Sequence, residues 1–160
     1  MLEKVYSRVI PACDGLARLG NRFDILGCFK GLLYKKIEPA TAETAVDIYK
    51  LSKGVRRTVE EIYQILSVDN TLYLTQAQIK KFLADTDWRP IQRQNMLFLV
   101  RWGVRGMILR MKCGIYGPYF EMSGLTECGS NWRLERDDEI NQQYYFVVVP
   151  TTPSQTDLLR

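Results

Sequence analysis

The sequence contains no histidine. That absence removes Ser-His and Cys-His nucleophiles, a histidine general base and any histidine-ligated metal. None of the four cysteines (Cys13, Cys28, Cys113 and Cys128) forms a Cys-x-x-Cys pair, so the usual zinc spacing is missing as well. Reduced, mostly buried thiols are the expectation. An even count also permits two disulfides, but no secretory leader is evident and the chain is large enough to fold without staples. No apolar run approaches the roughly 20 residues of a membrane span. Internal repeats and low-complexity tracts are lacking too. These absences predict an intracellular protein with no membrane contact, no metal and no cofactor, and they leave a binding role in place of a reaction.

What is present is a core-forming composition with a clustered charge. Hydrophobic residues make up 46% of the 160, ordinary for one globular domain. The formal net charge of +4 matters because of its placement. Residues 88–120 contain Arg89, Arg93, Arg101, Arg105, Arg110 and Lys112 and no Asp or Glu. Such a stretch attracts polyanions or acidic protein surfaces. The same cations also have a plainer use, in which their long stems cover apolar surface while their heads stay in water.

Along the chain, Val5, Val9, Ile10, Cys13 and Leu16 recur at spacings of three and four and predict a helix over residues 3–19, interrupted or begun at Pro11. Asp24 is placed to cap a second helix over 25–36, and Thr41 a third over 42–66, which Gly54 divides or lets pass. Residues 71–75 alternate in the manner of a short strand. Thr75 and Gln78 fit a capping box, with Leu74 and Ile79 as its hydrophobic staple, and predict a helix over 76–84 with Ile79, Phe82 and Leu83 inward.

Pro90 suits the first position of a further helix that runs to Trp102 and stops at Gly103. The apolar run 96–100 fits that helix and equally fits a buried strand. Residues 107–112 and 119–122 then read as a hairpin. A second hairpin pairs 131–136 with 144–149, and 151–160 form a polar tail.

The order helix, short strand, helix, helix, strand, glycine-rich loop, strand from about Val55 to Met122 resembles a winged helix-turn-helix domain. The matching stretch is LTQAQIKKFLADTDWRPIQRQNMLFLVRWGVRGMILRMK, in which Thr75, Ile79, Leu83, Val100, Gly103 and Ile108 occupy the family's structural positions. The resemblance implies an α+β protein with a helical N-terminal region (1–54, a dimerisation or docking element), a winged-helix-like core with C-terminal β-hairpins (55–150) and a flexible tail (151–160). It further implies a recognition helix in the major groove of DNA, about 12 Å wide. Arg89, Gln92 and Arg93 would then lie near base edges. Arg105, Arg110 and Lys112, with Lys80 and Lys81 on the preceding helix, would meet phosphates, and Arg101 counts with them as a nucleic-acid-binding residue.

Two other constellations carry less. Tyr116, Tyr119 and Phe120 can stack on bases, although packing against a sheet is the commoner use of such residues; Trp88, Trp102 and Trp132 read as core or interface anchors. Glu135, Asp137, Asp138 and Glu139 do not converge on one metal if they alternate along a hairpin, so the chain is expected not to be an enzyme. The alternative to nucleic-acid binding is a structural or adaptor module, a homodimer or a component of a larger assembly, docked through apolar helix surface.

Overall fold

The computed structural model describes residues 2–19, 24–25, 37–52, 64, 66, 72–84, 95–102, 105–114, 117–123 and 144–151. Seven strands in these segments form one mixed sheet. They are β1 (Leu2–Ile10), β2 (Asp24–Ile25), β3 (Thr44–Ser52), β4 (Asn95–Trp102), β5 (Arg105–Gly114), β6 (Gly117–Ser123) and β7 (Tyr144–Pro150), joined by one helix, α1 (Gln76–Ala84). The order across the sheet is β1-β3-β7-β4-β5-β6-β2. β4 and β7 are parallel, as are β2 and β6, and the remaining neighbours are antiparallel.

Sequence β4 explains the centre. Met96, Leu97, Phe98, Leu99 and Val100 are consecutive and all buried. A strand with both faces covered reads as a continuous apolar run, because neither face requires polar residues. Register separates the two faces. Phe98 lies beside Val148, Met96 beside Met111, and these side chains join the core cluster with Val46, Ile48, Leu109 and the helix residues Ala77, Ile79, Phe82 and Leu83. Phe82 of α1 meets Phe98 edge to face, with ring centroids 5.9 Å apart and planes at 77°, a favoured aromatic geometry. On the other face Leu97 lies beside Val147; both are fully buried, and neither belongs to the helix-side cluster.

The expected helical N-terminal region is corrected to strands. Residues 2–10 form β1 and residues 44–52 form β3, paired antiparallel from Leu2↔Leu51 to Ile10↔Thr44. The spacing of Val5 and Val9 does not mark one buried face: the register shifts between Lys4 and Tyr6, Val5 packs against the core and Val9 is 54% exposed. A bulge of this kind breaks strict alternation, and it lets Val5 pack against the core in addition to Ile10. In β3 the period is two, with buried Val46 and Ile48 flanking the polar Asp47, which is the strand signature. Pro11 ends β1 because it has no N–H to donate. Most of the helix expected over 25–36 lies outside the described residues; Asp24 and Ile25 form β2, parallel to Tyr119 and Phe120 of β6. Of the helix expected over 42–66, the part from 53 onward lies almost entirely outside them.

The winged-helix resemblance fails at its central element. The recognition helix expected over 90–102 is strand β4 from residue 95 onward, and residues 90–94 lie outside the described residues. Among the described residues α1 is the one complete helix, and it packs on the sheet. The physical reason is the burial of 96–100 on both sides. A surface helix would need a polar face, whereas a central strand needs none.

Other expectations hold or shift. Helix 76–84 forms as read, with Ile79, Phe82 and Leu83 buried. Residues 72–75 are not a strand, although the Leu74 N–H donates to the Leu99 carbonyl at 2.7 Å. β5 and β6 form the expected hairpin, from Ile108↔Ser123 to Gly114↔Gly117. β7 is a strand, but it pairs with β3 on one side and β4 on the other. Its expected partner, 131–136, lies outside the described residues. Past Pro150 the Thr151 N–H continues the ladder by donating to Ala45 O at 3.0 Å.

Candidate nucleic-acid interface

Pairing arithmetic defines an extension of the sheet. β7 accompanies β4 as far as Phe98↔Val148, and β6 accompanies β5 as far as Ile108↔Ser123. Beyond those rungs, Val100↔Met107, Arg101↔Gly106 and Trp102↔Arg105 pair only with each other among the described strands. The end of the β4–β5 hairpin is therefore a two-stranded ribbon that outruns its neighbours. It carries two of the expected basic positions, Arg101 and Arg105, on adjacent rungs. Strand rise of about 3.4 Å per residue keeps such rungs close together.

The other expected positions are dispersed. Arg110 stands opposite Leu97 on one side and Glu121 on the other. Lys112 stands opposite Tyr119. Glu121 is the first acid after the acid-free stretch, one residue beyond where a reading of 88–120 stops, and opposite charges facing each other across a ladder are a routine stabilising pair. Arg89, Gln92 and Arg93 lie outside the described residues.

Lys80 and Lys81 lie on α1 and reach back to the segment after β1. Lys80 Nζ donates to Arg18 O at 3.4 Å and Lys81 Nζ to Ala12 O at 2.7 Å. These ammonium groups brace residues 11–19 against the helix. That segment has its own supports: Asp14 Oδ1 accepts the Leu16 N–H at 2.9 Å, and Arg18 Nη1 donates to Gly15 O at 2.6 Å. Cys13, a buried free thiol, donates to Pro11 O at 3.3 Å. Cys113 lies on β5, and Cys28 and Cys128 lie outside the described residues.

The N-terminus of α1 is closed to an outside anion. Thr75 Oγ1 accepts the Gln78 N–H at 3.3 Å while Gln78 Oε1 accepts the Thr75 N–H at 2.9 Å, a reciprocal capping box. Glu38 Oε2 accepts the Gln76 N–H at 2.7 Å, which places a carboxylate where the helix dipole favours negative charge. The sequence signals the box, but nothing in it links Glu38 to a helix 38 residues away.

On the sheet face away from α1, Lys4 Nζ lies 2.9 Å from Asp47 Oδ1, and Ser7 Oγ donates to the same oxygen at 2.7 Å. The hydrogen bond to Asp47 raises the Lys4 pKa. Partial burial opposes ionisation of Asp47, but the hydrogen bonds from Lys4 and Ser7 outweigh it and lower the carboxyl.

A groove of about 310 Å³ lies between the end of β1 and the second half of α1, lined by Arg8, Val9, Ile10, Pro11, Lys81, Phe82 and Ala84. Arg8 in this wall lies 5.9 Å from the Tyr6 ring centroid, within cation–π range. Among the described residues no group of three or more Cys, Asp or Glu is arranged to hold a metal ion, and no helix is long and apolar enough to cross a membrane. No protein-family model matches the chain, and no curated protein or solved structure is detectably similar to it.

Proposed function

We propose that this chain is a non-enzymatic nucleic-acid-binding protein that engages duplex DNA through the end of the β4–β5 hairpin. The observation that carries the reading is the ribbon that outruns β6 and β7 with Arg101 and Arg105 on adjacent rungs. A major groove admits a two-stranded ribbon as it admits a helix, and Arg suits both guanine edges and phosphates. Loss of the recognition helix therefore changes the reading element without removing the electrostatic rationale. Each phosphate neutralised steepens the dependence of log affinity on log salt by about 0.9.

The test is fluorescence anisotropy with a mixed-sequence duplex across a salt series. The unaltered protein should bind at low salt and weaken steeply as salt rises. Changing Arg101 and Arg105 together to Ala should flatten the slope by roughly two contacts. Absence of duplex binding by the unaltered protein at low salt refutes the function. Binding with an unchanged slope after both substitutions refutes the site.

A second reading, an adaptor docking on another protein, is favoured by apolar exposure near β1: Val9 is 54%, Leu16 75% and Ile37 90% exposed. Contact made through such residues would persist at salt concentrations that abolish duplex binding.

A further inference from the structure

The chain contains one Asp-Gly dipeptide, Asp14-Gly15, and no Asn-Gly. It lies in the segment that follows β1, with Asp14 exposed and Gly15 buried. The Asp14 carboxylate is folded back over the next peptide, since its Oδ1 accepts the Leu16 N–H at 2.9 Å. From there Cγ is open to attack by the Gly15 nitrogen, and glycine offers no Cβ to obstruct the approach. The backbone on both sides is pinned. Cys13 and Thr41 exchange both hydrogen bonds of a bridge, at 2.9 and 2.8 Å. Gly15 has φ of 80° and fits so closely that a Cβ on it would lie 2.6 Å from the carbonyl oxygens of Glu38 and Pro39. Glu38 in turn reaches the start of α1, where Oε2 accepts the Gln76 N–H at 2.7 Å, and Gln76 Oε1 accepts the Leu19 N–H at 3.3 Å.

We propose that Asp14-Gly15 is a site of spontaneous modification, at which a succinimide forms and reopens to an isoaspartyl residue, and that this change releases the hold of Glu38 on α1. In the first step the bond from the Gly15 nitrogen to Asp14 Cγ forms and the Cγ–OH bond breaks. The amide proton leaves with that hydroxyl as water. In the second step water adds to the former backbone carbonyl carbon of Asp14. The bond from that carbon to the Gly15 nitrogen breaks, and the nitrogen regains a proton. Water is the only co-reactant, and the product has the composition of the starting chain. The fold controls both rate and consequence. Ring closure needs rotation of the Asp14 backbone, which the wedged Gly15 resists, so the reaction proceeds through local opening of the turn. The product carries an additional main-chain atom between Asp14 and Gly15. Gly15 then no longer fits against Glu38 and Pro39 while Cys13 stays bridged to Thr41. The displacement falls on residues 38 and 39, and so on the carboxylate that caps α1.

The experiment incubates the full chain at neutral pH and physiological temperature, folded and in urea. Peptide mapping with electron-transfer fragmentation, which separates aspartate from isoaspartate, reads residue 14 over time. Isoaspartate should accumulate at residue 14 in both samples, at least about tenfold more slowly in the folded one, because closure waits for local opening. The isomerised folded fraction is then isolated by ion-exchange chromatography for amide exchange. Its Gln76 amide should exchange at least about tenfold faster than in the unmodified chain, as loss of a hydrogen bond to a carboxylate predicts. Asp14→Ser keeps an oxygen to accept the Leu16 N–H but has no carboxyl to close the ring. It should form no isoaspartate and keep the slow Gln76 exchange. Absence of isoaspartate at residue 14 in the folded chain overturns the site. Equal rates in the folded and unfolded samples overturn control by the fold. Unchanged Gln76 exchange in the isomerised fraction overturns the release of α1.

Discussion

Replacing Glu38 tests whether a residue with no helical signal of its own fixes the start of α1. Its side chain is buried, 8% exposed, and Oε2 accepts the Gln76 N–H at 2.7 Å. Gln76 is itself 2% exposed. Glu38→Ala leaves that buried N–H without its carboxylate partner. A hydrogen bond to a charged group is worth about 1.5–3 kcal/mol, and the lost interaction with the helix dipole adds roughly 0.3–1 kcal/mol. Relief of carboxylate desolvation offsets part of this, so the expected loss is about 2–3 kcal/mol. For a chain of this length each kcal/mol moves the melting temperature by about 2–4 °C, so the shift should be roughly 4–12 °C. Glu38→Gln keeps an acceptor oxygen but not the charge and should cost about 1 kcal/mol.

Urea unfolding at neutral pH, followed by far-ultraviolet circular dichroism, reads both values from the midpoint and slope. The expected order of stability is unaltered, then Gln, then Ala, with a common slope. A Glu38→Ala protein within about 0.5 kcal/mol of the unaltered chain would refute the reasoning, since surface substitutions fall in that range. Equal losses for Gln and Ala would refute the part assigned to the acceptor oxygen.

Other perturbations follow from the same contacts. Phe98→Ala empties a fully buried site against Phe82 and should cost about 3–5 kcal/mol in the same urea experiment. Gly15→Ala should cost at least about 2 kcal/mol, because Gly15 has φ of 80° and an added Cβ would lie 2.6 Å from the Glu38 and Pro39 carbonyl oxygens. Asp47→Asn should lose up to about 1 kcal/mol at neutral pH. Since folding lowers the Asp47 pKa, its contribution is present above the unfolded value near 3.9 and is lost as pH falls through the folded value. The gap between Asp47→Asn and the unaltered protein should accordingly close on acidification, which stability curves from neutral pH to pH 2 would measure.

Local signals were legible and long-range ones were not. The Thr75–Gln78 box fixed α1 because both partners of its hydrogen bonds lie within four residues. The β5–β6 hairpin was legible for the same reason: a few residues separate its strands. β1 was misread because a spacing of four, as between Val5 and Val9, fits a strand's period of two as well as a helical turn, and β3 because Tyr49 and Leu51 extended a helical count past the Val46–Asp47–Ile48 alternation. The run 96–100 carried no period at all. Its state is decided by β5 and β7, and β7 lies more than 40 residues downstream. The acid-free basic stretch was correctly read as a composition, but its meaning depended on Glu121, which only the β5–β6 register brings opposite Arg110.

The basic residues fall into three settings. Within the sheet, Arg110 stands opposite Glu121 on the neighbouring strand, the register at which opposite charges stabilise a ladder. On α1, Lys80 and Lys81 hold the chain that follows β1. At the hairpin end, Arg101 faces Gly106 and Arg105 faces Trp102, and neither rung supplies an acid. A cation with no acid on its own rung is the kind whose removal should cost little stability and much polyanion affinity. If Arg101→Ala and Arg105→Ala lower the urea midpoint as much as Phe98→Ala does, the ribbon is part of the packed sheet and the proposed interface is misplaced. If they leave the midpoint within the range of surface substitutions while flattening the salt slope, the charge is there for a partner.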